Sequence, residues 1–198
     1  MSEPSENTRE HILDVASKEF CDKGFEGSRV DTIADKAECN KATIYYYFDD
    51  KLELYTHVLL RPLTTIAHEV KTKLDEDLDT RERLHRQLSA AIDQVQSHPR
   101  VSCLLLREIL DGGQRLPKSA QQTIKQVWEH FQSELKDCPG TDSKPSLQRI
   151  QRTLVGAVLI NGVQSGFFKK VTGETSETTV PTNVLADFLV EGLICDIN

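Results

Sequence analysis

A chain of 198 residues, 38% hydrophobic and 28% charged, is long enough to bury a sizeable core, which excludes a disordered or fibrous protein. Its formal net charge is −7, and residues 1–50 alone carry six Lys or Arg against twelve Asp or Glu. This balance excludes a broad positive field for nucleic acid. Any contact with phosphates must therefore come from a few basic side chains on one face.

Cysteine usage and the lack of an apolar leader both indicate a cytoplasmic protein. The five cysteines are widely spaced and contain no CxxC pair, which argues against a disulfide framework or a zinc site and predicts buried thiols. Redox sensing by Cys103 or Cys138 is the alternative. No apolar segment follows the N-terminus, and the longest apolar run, Leu154–Ile160, is too short to cross a bilayer. We therefore expect no membrane partner.

Apolar residues recur at helical spacing along almost the whole chain. The first predicted helix carries them at positions 12, 13, 16 and 20 and ends at Gly24. A second helix is predicted at about Arg29–Ala37 and a third at Lys41–Tyr47, for which Asn40 is the expected N-cap. The N-terminal quarter is therefore predicted to be a group of three helices.

Longer amphipathic helices are predicted for the rest of the chain. The fourth begins at the box-like pair Asp50 and Glu53, and Pro62 is expected to kink or split it. Further apolar stripes run through residues 84–95, 101–110, 124–135, 147–168 and 184–193. The pattern predicts about nine helices without a convincing strand, and thus an all-α fold.

The second and third helices carry the pattern of a helix-turn-helix motif. Residues 28–51 read SRVDTIADKAECNKATIYYYFDDK, in which the small Ala34 allows the third helix to cross closely. The outward side of the third helix is rich in hydrogen-bond donors: Lys41, Thr43, Tyr45, Tyr46 and Tyr47. A three-helix cap without a binding role is the alternative. We predict a helix-turn-helix domain over residues 1–50 and a helical bundle over residues 51–198.

The same segment resembles the N-terminal signature of the tetracycline-repressor (TetR/AcrR) family. The residues in register are Phe20, Gly24, Phe25, Ser28, Ile33, Ala34, Ala37, Ala42, Thr43, Ile44, Tyr45, Tyr47, Phe48, Lys51 and Leu54. The family's Gly-Val-Ser turn is replaced by Glu38-Cys39-Asn40, which places the left-handed backbone position on Glu38 or Asn40. The resemblance implies a transcriptional regulator, a repressor, that binds a palindromic DNA operator as a homodimer and is released by a small effector.

The resemblance further implies that the third helix enters the major groove. The residues expected at base edges or the groove wall are Lys41, Ala42, Thr43 and Tyr45. Those expected at phosphates are Ser28, Tyr46, Tyr47 and Lys51. Arg29 fits either role, and the acidic residues of this segment are expected to face away from the DNA.

By the same resemblance, the middle helices enclose an effector pocket and the last two helices form the dimer face. The expected pocket residues are Leu63, Ile66, Leu88, Ile92, Leu105, Ile109, Trp128, Phe131 and Asn161. Such a lining suits a lipophilic or aromatic effector. The expected dimer residues are Leu154, Ala157, Val158, Phe188 and Leu189. Gly156 and Gly162 allow close helix packing, either between two chains or within one.

The sequence carries no recognisable catalytic motif. It contains no GxSxG, P-loop or HExxH pattern, and its six histidines show no metal-ligand spacing. We therefore expect neither an enzyme nor a cofactor or metal site. Two alternatives to the inducible regulator stay open: a helical adaptor that does not bind DNA, and a redox-sensing regulator without a small-molecule inducer.

Overall fold

A computed structural model of the protein describes residues 6–72, 78–135, 144–163, 170–173 and 180–195. The helices are α1 (Glu6–Gly27), α2 (Val30–Lys36), α3 (Lys41–Tyr47), α4 (Lys51–Thr72), α5 (Thr80–Ser97), α6 (Pro99–Leu110), α7 (Lys118–Leu135), α8 (Lys144–Val163) and α9 (Thr182–Cys195). Residues 170–172 are also helical, and no strand occurs in the described ranges. The all-α prediction is confirmed.

A first hydrophobic core joins α1, α2 and α3 to the beginning of α4. Phe20 of α1, Ile33 of α2 and Ile44 of α3 are buried together in it, as the helical spacing of their neighbours predicts. Gly24, at φ 72° and ψ 173°, breaks the helical geometry of α1, as expected from its position. The core also takes in Leu59 of α4 and Leu104 of α6. The N-terminal helices are therefore packed directly on the rest of the chain, and the boundary at residue 50 stays a prediction.

A second hydrophobic core fills the space between α5, α7, α8 and α9. The long α4 packs against α7 and α5, while α8 packs against α6 and α5 and α9 against α5. Gly162 makes the contact of α8 possible, because a Cβ there would lie 2.6 Å from Val95 Cγ1 and 2.9 Å from Ser102 Oγ. The small-residue position Gly162 is thus used within the chain.

Pro62 was expected to kink or split α4; it does not split the helix, which is continuous from Lys51 to Thr72. A proline inside a helix removes one amide donor, at a cost of about 3 kcal/mol. Pro62 is buried, and the packing of α4 against α7 and α5 offsets that loss. One helix therefore connects the first core, through Leu54 and Leu59, to Leu63 and Ile66 further along the chain.

Candidate functional site

The turn between α2 and α3 is built by Glu38, Cys39 and Asn40. Glu38 has φ 51°, so it holds the left-handed position. Asn40 caps α3, since its Oδ1 accepts hydrogen bonds from Thr43 N at 2.7 Å and from Thr43 Oγ1 at 3.0 Å. The Cys39 amide donates to Ala34 O at 3.0 Å, which closes the turn on α2. The predicted cap and the predicted bounds of α3 are confirmed.

The side chains of α3 divide into an anchored and a projecting set. Ile44, on α3, and Phe48, its C-cap, are each 1% exposed and fix the helix to the first core. The residues on the solvent side are Lys41, Ala42, Tyr45 and Tyr46, with Thr43 and Tyr47 half-buried beside them. Tyr46 is 70% exposed, and its ring stands edge-on to Tyr47 at 5.3 Å. α3 therefore presents a polar and aromatic ridge to solvent.

The one lysine on this ridge is paired with an acid. Lys41 Nζ lies 2.9 Å from Asp31 Oδ1 of α2, and its ammonium stands 5.9 Å from the centre of the Tyr45 ring. The hydrogen bond from Lys41 holds the pKa of Asp31 below its usual value, and the same bond raises the pKa of Lys41. Asp31 thus departs from the expectation that the acidic residues of this segment lie away from the α3 ridge.

Several other acids of the N-terminal segment are held in ion pairs away from α3. Glu19, whose side chain is 1% exposed, accepts from Lys23 at 2.7 Å and from Lys36 at 2.5 Å. Asp14 pairs with Arg61 at 2.8 Å, and Glu26 pairs with Arg115 at 3.1 Å. These contacts neutralise part of the negative charge that the composition showed.

Ser28 is placed differently from its expected role at a phosphate. Its side chain is buried, and its Oγ lies 3.1 Å from Glu19 O and 2.7 Å from Gly24 O, within hydrogen-bond distance of both. The hydroxyl therefore caps the broken end of α1, and the phosphate assignment is corrected. Arg29 is exposed. Lys51 stands at the first residue of α4, with its ammonium 4.3 Å from the centre of the Phe25 ring.

A cavity of about 500 Å³ lies between α4, α5, α6, α7 and α8. The predicted pocket residues that line it are Leu63, Ile66, Leu88, Leu105, Ile109, Trp128 and Phe131. Two predictions were wrong. Ile92 is fully buried in the second core. Asn161 is engaged with the backbone of Val180, whose amide donates to Asn161 Oδ1 at 3.0 Å.

Sequence reasoning missed the cavity's polar residues, of which Gln87 and Glu108 are almost completely buried. Both amide atoms of Gln87 and the Oε2 atom of Glu108 have no hydrogen-bond partner among the described residues. Glu108 Oε1 accepts a hydrogen bond from Tyr55 at 2.8 Å. Helical spacing could have found both, because Gln87 follows Leu84 by three positions and Glu108 follows Leu104 by four.

The predicted dimer residues fall into two groups. Leu154, Val158 and Leu189 are buried in the chain's own second core, which corrects their assignment, and Leu154 and Val158 also line the cavity. Ala157 is half-buried. Phe188 is 73% exposed on α9, with the exposed Val184 one turn before it. Helical periodicity identifies the apolar side of a helix, but it does not tell which of those residues pack inside their own chain and which would pack against a second copy.

Burial limits the reactivity of the described thiols on α1 and in the turn. It raises the pKa of Cys21 to about 12, with a further contribution from a hydrogen bond with Cys103, and it raises the pKa of Cys39. Cys138 lies outside the described residues. Within the described part, no three His, Cys, Asp or Glu residues gather where they could hold a metal ion. Among the helices described, none has the length and apolar character needed to span a bilayer.

An all-α chain whose α2–turn–α3 unit presents α3 to solvent has the architecture of a helix-turn-helix regulatory protein. Comparison with known proteins agrees. Residues 12–58 match the family described as bacterial regulatory proteins, tetR family. Residues 12–58 are therefore similar to the TetR family, and the curated relatives that match the chain are HTH-type transcriptional regulators.

Two curated relatives and one solved structure illustrate the likeness. The transcriptional activator FasR of Mycolicibacterium smegmatis is 34% identical over 93 residues, 47% of this chain and 42% of that protein. The transcriptional repressor NicS of Pseudomonas putida is 34% identical over 119 residues, 60% and 56% of the two chains. The chain thus spans about half the length of these relatives. A tetR-family regulatory protein from Rhodococcus RHA1 superposes with a TM-score of 0.74 over 98% of both chains at 12% identity, which shows the shared fold.

Proposed function

We propose that this protein is a transcription repressor that binds an inverted-repeat operator as a homodimer and is released by a small lipophilic effector. The observation that carries the proposal is the division of α3, whose Ile44 and the adjoining Phe48 are buried while Lys41, Ala42, Tyr45 and Tyr46 face solvent. A helix held in this way can enter a major groove with its polar side first.

The chemistry of the ridge suits both bases and phosphates. The Lys41 ammonium can leave the exposed Asp31 and donate to guanine O6 or N7, because an exposed ion pair is weak in water. The hydroxyls of Tyr45, Tyr46 and Tyr47 and the side chain of Thr43 remain candidates for the groove wall and the backbone. Lys51, at the N-terminus of α4, and the exposed Arg29 are the proposed phosphate ligands.

Homodimerisation through α8 and α9 supplies a second α3 helix for DNA binding. The exposed apolar residues Ile160, Val184 and Phe188 support this face, since large apolar side chains at helix surfaces are typical of buried interfaces. A two-fold dimer presents its two α3 helices to successive major grooves, about one helical turn apart, and therefore requires an inverted repeat. Such a protein acts on DNA in the cytoplasm.

The cavity and α4 together support release by an effector. The same helix contributes Leu54 and Tyr55 to the first core and Leu63 and Ile66 to the cavity wall. We expect α4 to adopt two positions, each with its own spacing of the two α3 helices in the dimer. A ligand that binds the protein more tightly in one of these conformations shifts the equilibrium toward it. The relatives include one activator and one repressor, and the longer match, to NicS, favours repression.

Retardation of DNA in a gel tests the proposal. The intergenic DNA beside the gene is expected to be retarded at low salt, and the double substitution Lys41→Ala with Tyr46→Ala is expected to abolish the shift without loss of helicity by circular dichroism. Lys125→Ala is the matched control, because Lys125 is exposed on α7 and its ion-pair partner among the described residues is Glu129 of the same helix. Equal retardation by the double variant, or none by the unaltered protein, would overturn the proposal and favour the adaptor.

A further inference from the structure

We propose that the effector is a lipophilic amine, whose protonated nitrogen donates a hydrogen bond to Glu108 Oε2 inside the cavity. The inference rests on the proposed function in one respect, the assignment of this cavity as the effector site. The choice of an amine rests on the buried polar atoms of the residues that line the cavity.

Glu108 is a buried acid with one of its two carboxylate oxygens hydrogen-bonded. Its side chain is 4% exposed, Oε1 accepts from the Tyr55 hydroxyl at 2.8 Å, and Oε2 has no hydrogen-bond partner among the described residues. Leaving a buried carboxylate oxygen without a donor is costly, and a charged donor compensates the cost best. An ammonium group entering the cavity supplies both the N–H and the positive charge.

The other lining residues select against an anion. No Lys, Arg or His is found among the described lining residues, so a carboxylate ligand would face Glu108 without a cation to compensate it. Gln87, which is 1% exposed, offers an unpartnered carbonyl oxygen as a second acceptor; its amide nitrogen is an unpartnered donor too, but it is neutral and does not compensate the charge of an anion. Trp128 and Phe131, with ring centres 5.9 Å apart, provide aromatic faces that attract cations.

Glu108 also connects the cavity to the N-terminal helices. Tyr55, its partner, stands edge-on to Phe20 at 5.0 Å and to Phe25 at 5.2 Å in the first core. Burial, followed by the hydrogen bond to Glu108, raises the pKa of Tyr55 far above its usual value, so its hydroxyl remains a donor at neutral pH. A ligand that moves the Glu108 carboxylate therefore acts directly on the residue that packs against α1.

Binding of three ten-carbon probes tests the inference without DNA. Trp128, the only tryptophan of the chain and a lining residue, reports binding by its fluorescence. Decylamine is expected to bind about tenfold or more tightly than decanol or decanoic acid, all kept below their micellar concentrations, because a charge-assisted hydrogen bond is worth about this factor. Equal or tighter binding of decanoic acid overturns the proposal.

Three substitutions then test whether the preference for decylamine depends on Glu108. Glu108→Gln is expected to reduce decylamine affinity to that of decanol, whereas Glu129→Gln, on the exposed surface of α7, leaves it unchanged. Tyr55→Phe keeps the carboxylate and removes its only observed donor, so decylamine preference is expected to persist even if Glu108→Gln fails to fold. Loss of the preference in Tyr55→Phe, or its retention in a folded Glu108→Gln, contradicts the proposal. These fluorescence results are independent of gel retardation, so the failure of one proposal is distinguishable from the failure of the other.

Discussion

Lys41 of α3 and Asp31 of α2 form an exposed ion pair, with 2.9 Å between Nζ and Oδ1, on the surface proposed to meet DNA. The acid competes with phosphates and bases for the lysine, and its own charge repels the DNA backbone. The pair is therefore expected to limit the affinity of the proposed DNA complex.

We expect Asp31→Asn to raise affinity for operator and for unrelated DNA by about three- to tenfold at low salt, because it frees Lys41 and removes one negative charge. The dependence of log affinity on log salt, measured by fluorescence anisotropy, should steepen by up to about one. Glu129→Gln makes the same change in net charge on α7 and should leave DNA affinity unaltered. Weaker binding by Asp31→Asn would mean that Asp31 holds Lys41 in the orientation that DNA requires.

The turn residue Glu38 carries a backbone cost that glycine would remove. Its φ of 51° is left-handed, which costs a side-chain-bearing residue about 1–2 kcal/mol, partly offset in a glycine variant by the greater entropy of the unfolded chain. Glu38→Gly is expected to raise the free energy of unfolding by up to about 1 kcal/mol in urea denaturation. Glu38→Ala removes the same charge but keeps the left-handed cost, so an equal gain from alanine would rule out the backbone explanation.

Glu19 links α1 to α2 through Lys36, and its contribution to stability is expected to depend on pH. Hydrogen bonds from Lys23 and Lys36 hold the pKa of Glu19 below its ordinary value of 4.5. A carboxyl whose folded pKa is lowered contributes stability above its unfolded pKa and loses it as the pH falls through the folded pKa. Glu19→Gln should therefore melt well below the unaltered protein at pH 7, with the difference narrowing below about pH 4.5.

Glu26→Gln is the matched control for that pH series, because Glu26 is exposed and its partner is Arg115 at the surface. Its melting temperature should stay close to that of the unaltered protein at each pH. A Glu19→Gln difference that is constant across the pH series would contradict the role of the ionised carboxylate.

Gly162 and Gly156 of α8 are expected to respond in opposite ways to alanine. A Cβ at Gly162 would lie 2.6 Å from Val95 Cγ1, so Gly162→Ala should destabilise the protein by about 1–3 kcal/mol through overpacking. A Cβ at Gly156 meets nothing within 4 Å, so Gly156→Ala should stabilise it by about 0.5–1 kcal/mol through helix propensity. Chemical denaturation of both variants measures the difference, and a neutral Gly162→Ala would show that α8 can shift away from α5.

The sequence by itself determined the features that depend on local chemistry. The bounds of α3, the Asn40 cap and the left-handed turn follow from hydrogen bonds and backbone preferences within a few residues, and they were predicted correctly. Burial of Phe48 beside a solvent-facing Tyr46 follows from helical periodicity in the same way. Seven of the nine predicted pocket residues line the cavity because they belong to continuous apolar stripes.

The tertiary structure alone decided what those residues face. Periodicity shows that Leu154, Val158 and Leu189 belong to an apolar side, but it does not tell whether that side meets its own chain or a second copy. The hydroxyl of Ser28 is hydrogen-bonded to the backbone of α1, and Lys41 is paired with Asp31, ten positions earlier. Both contacts form because the packing of the helices brings these groups together. The open Oε2 of Glu108 likewise depends on which partners α4 and α6 place around it, a property of the assembled helices and not of any one of them.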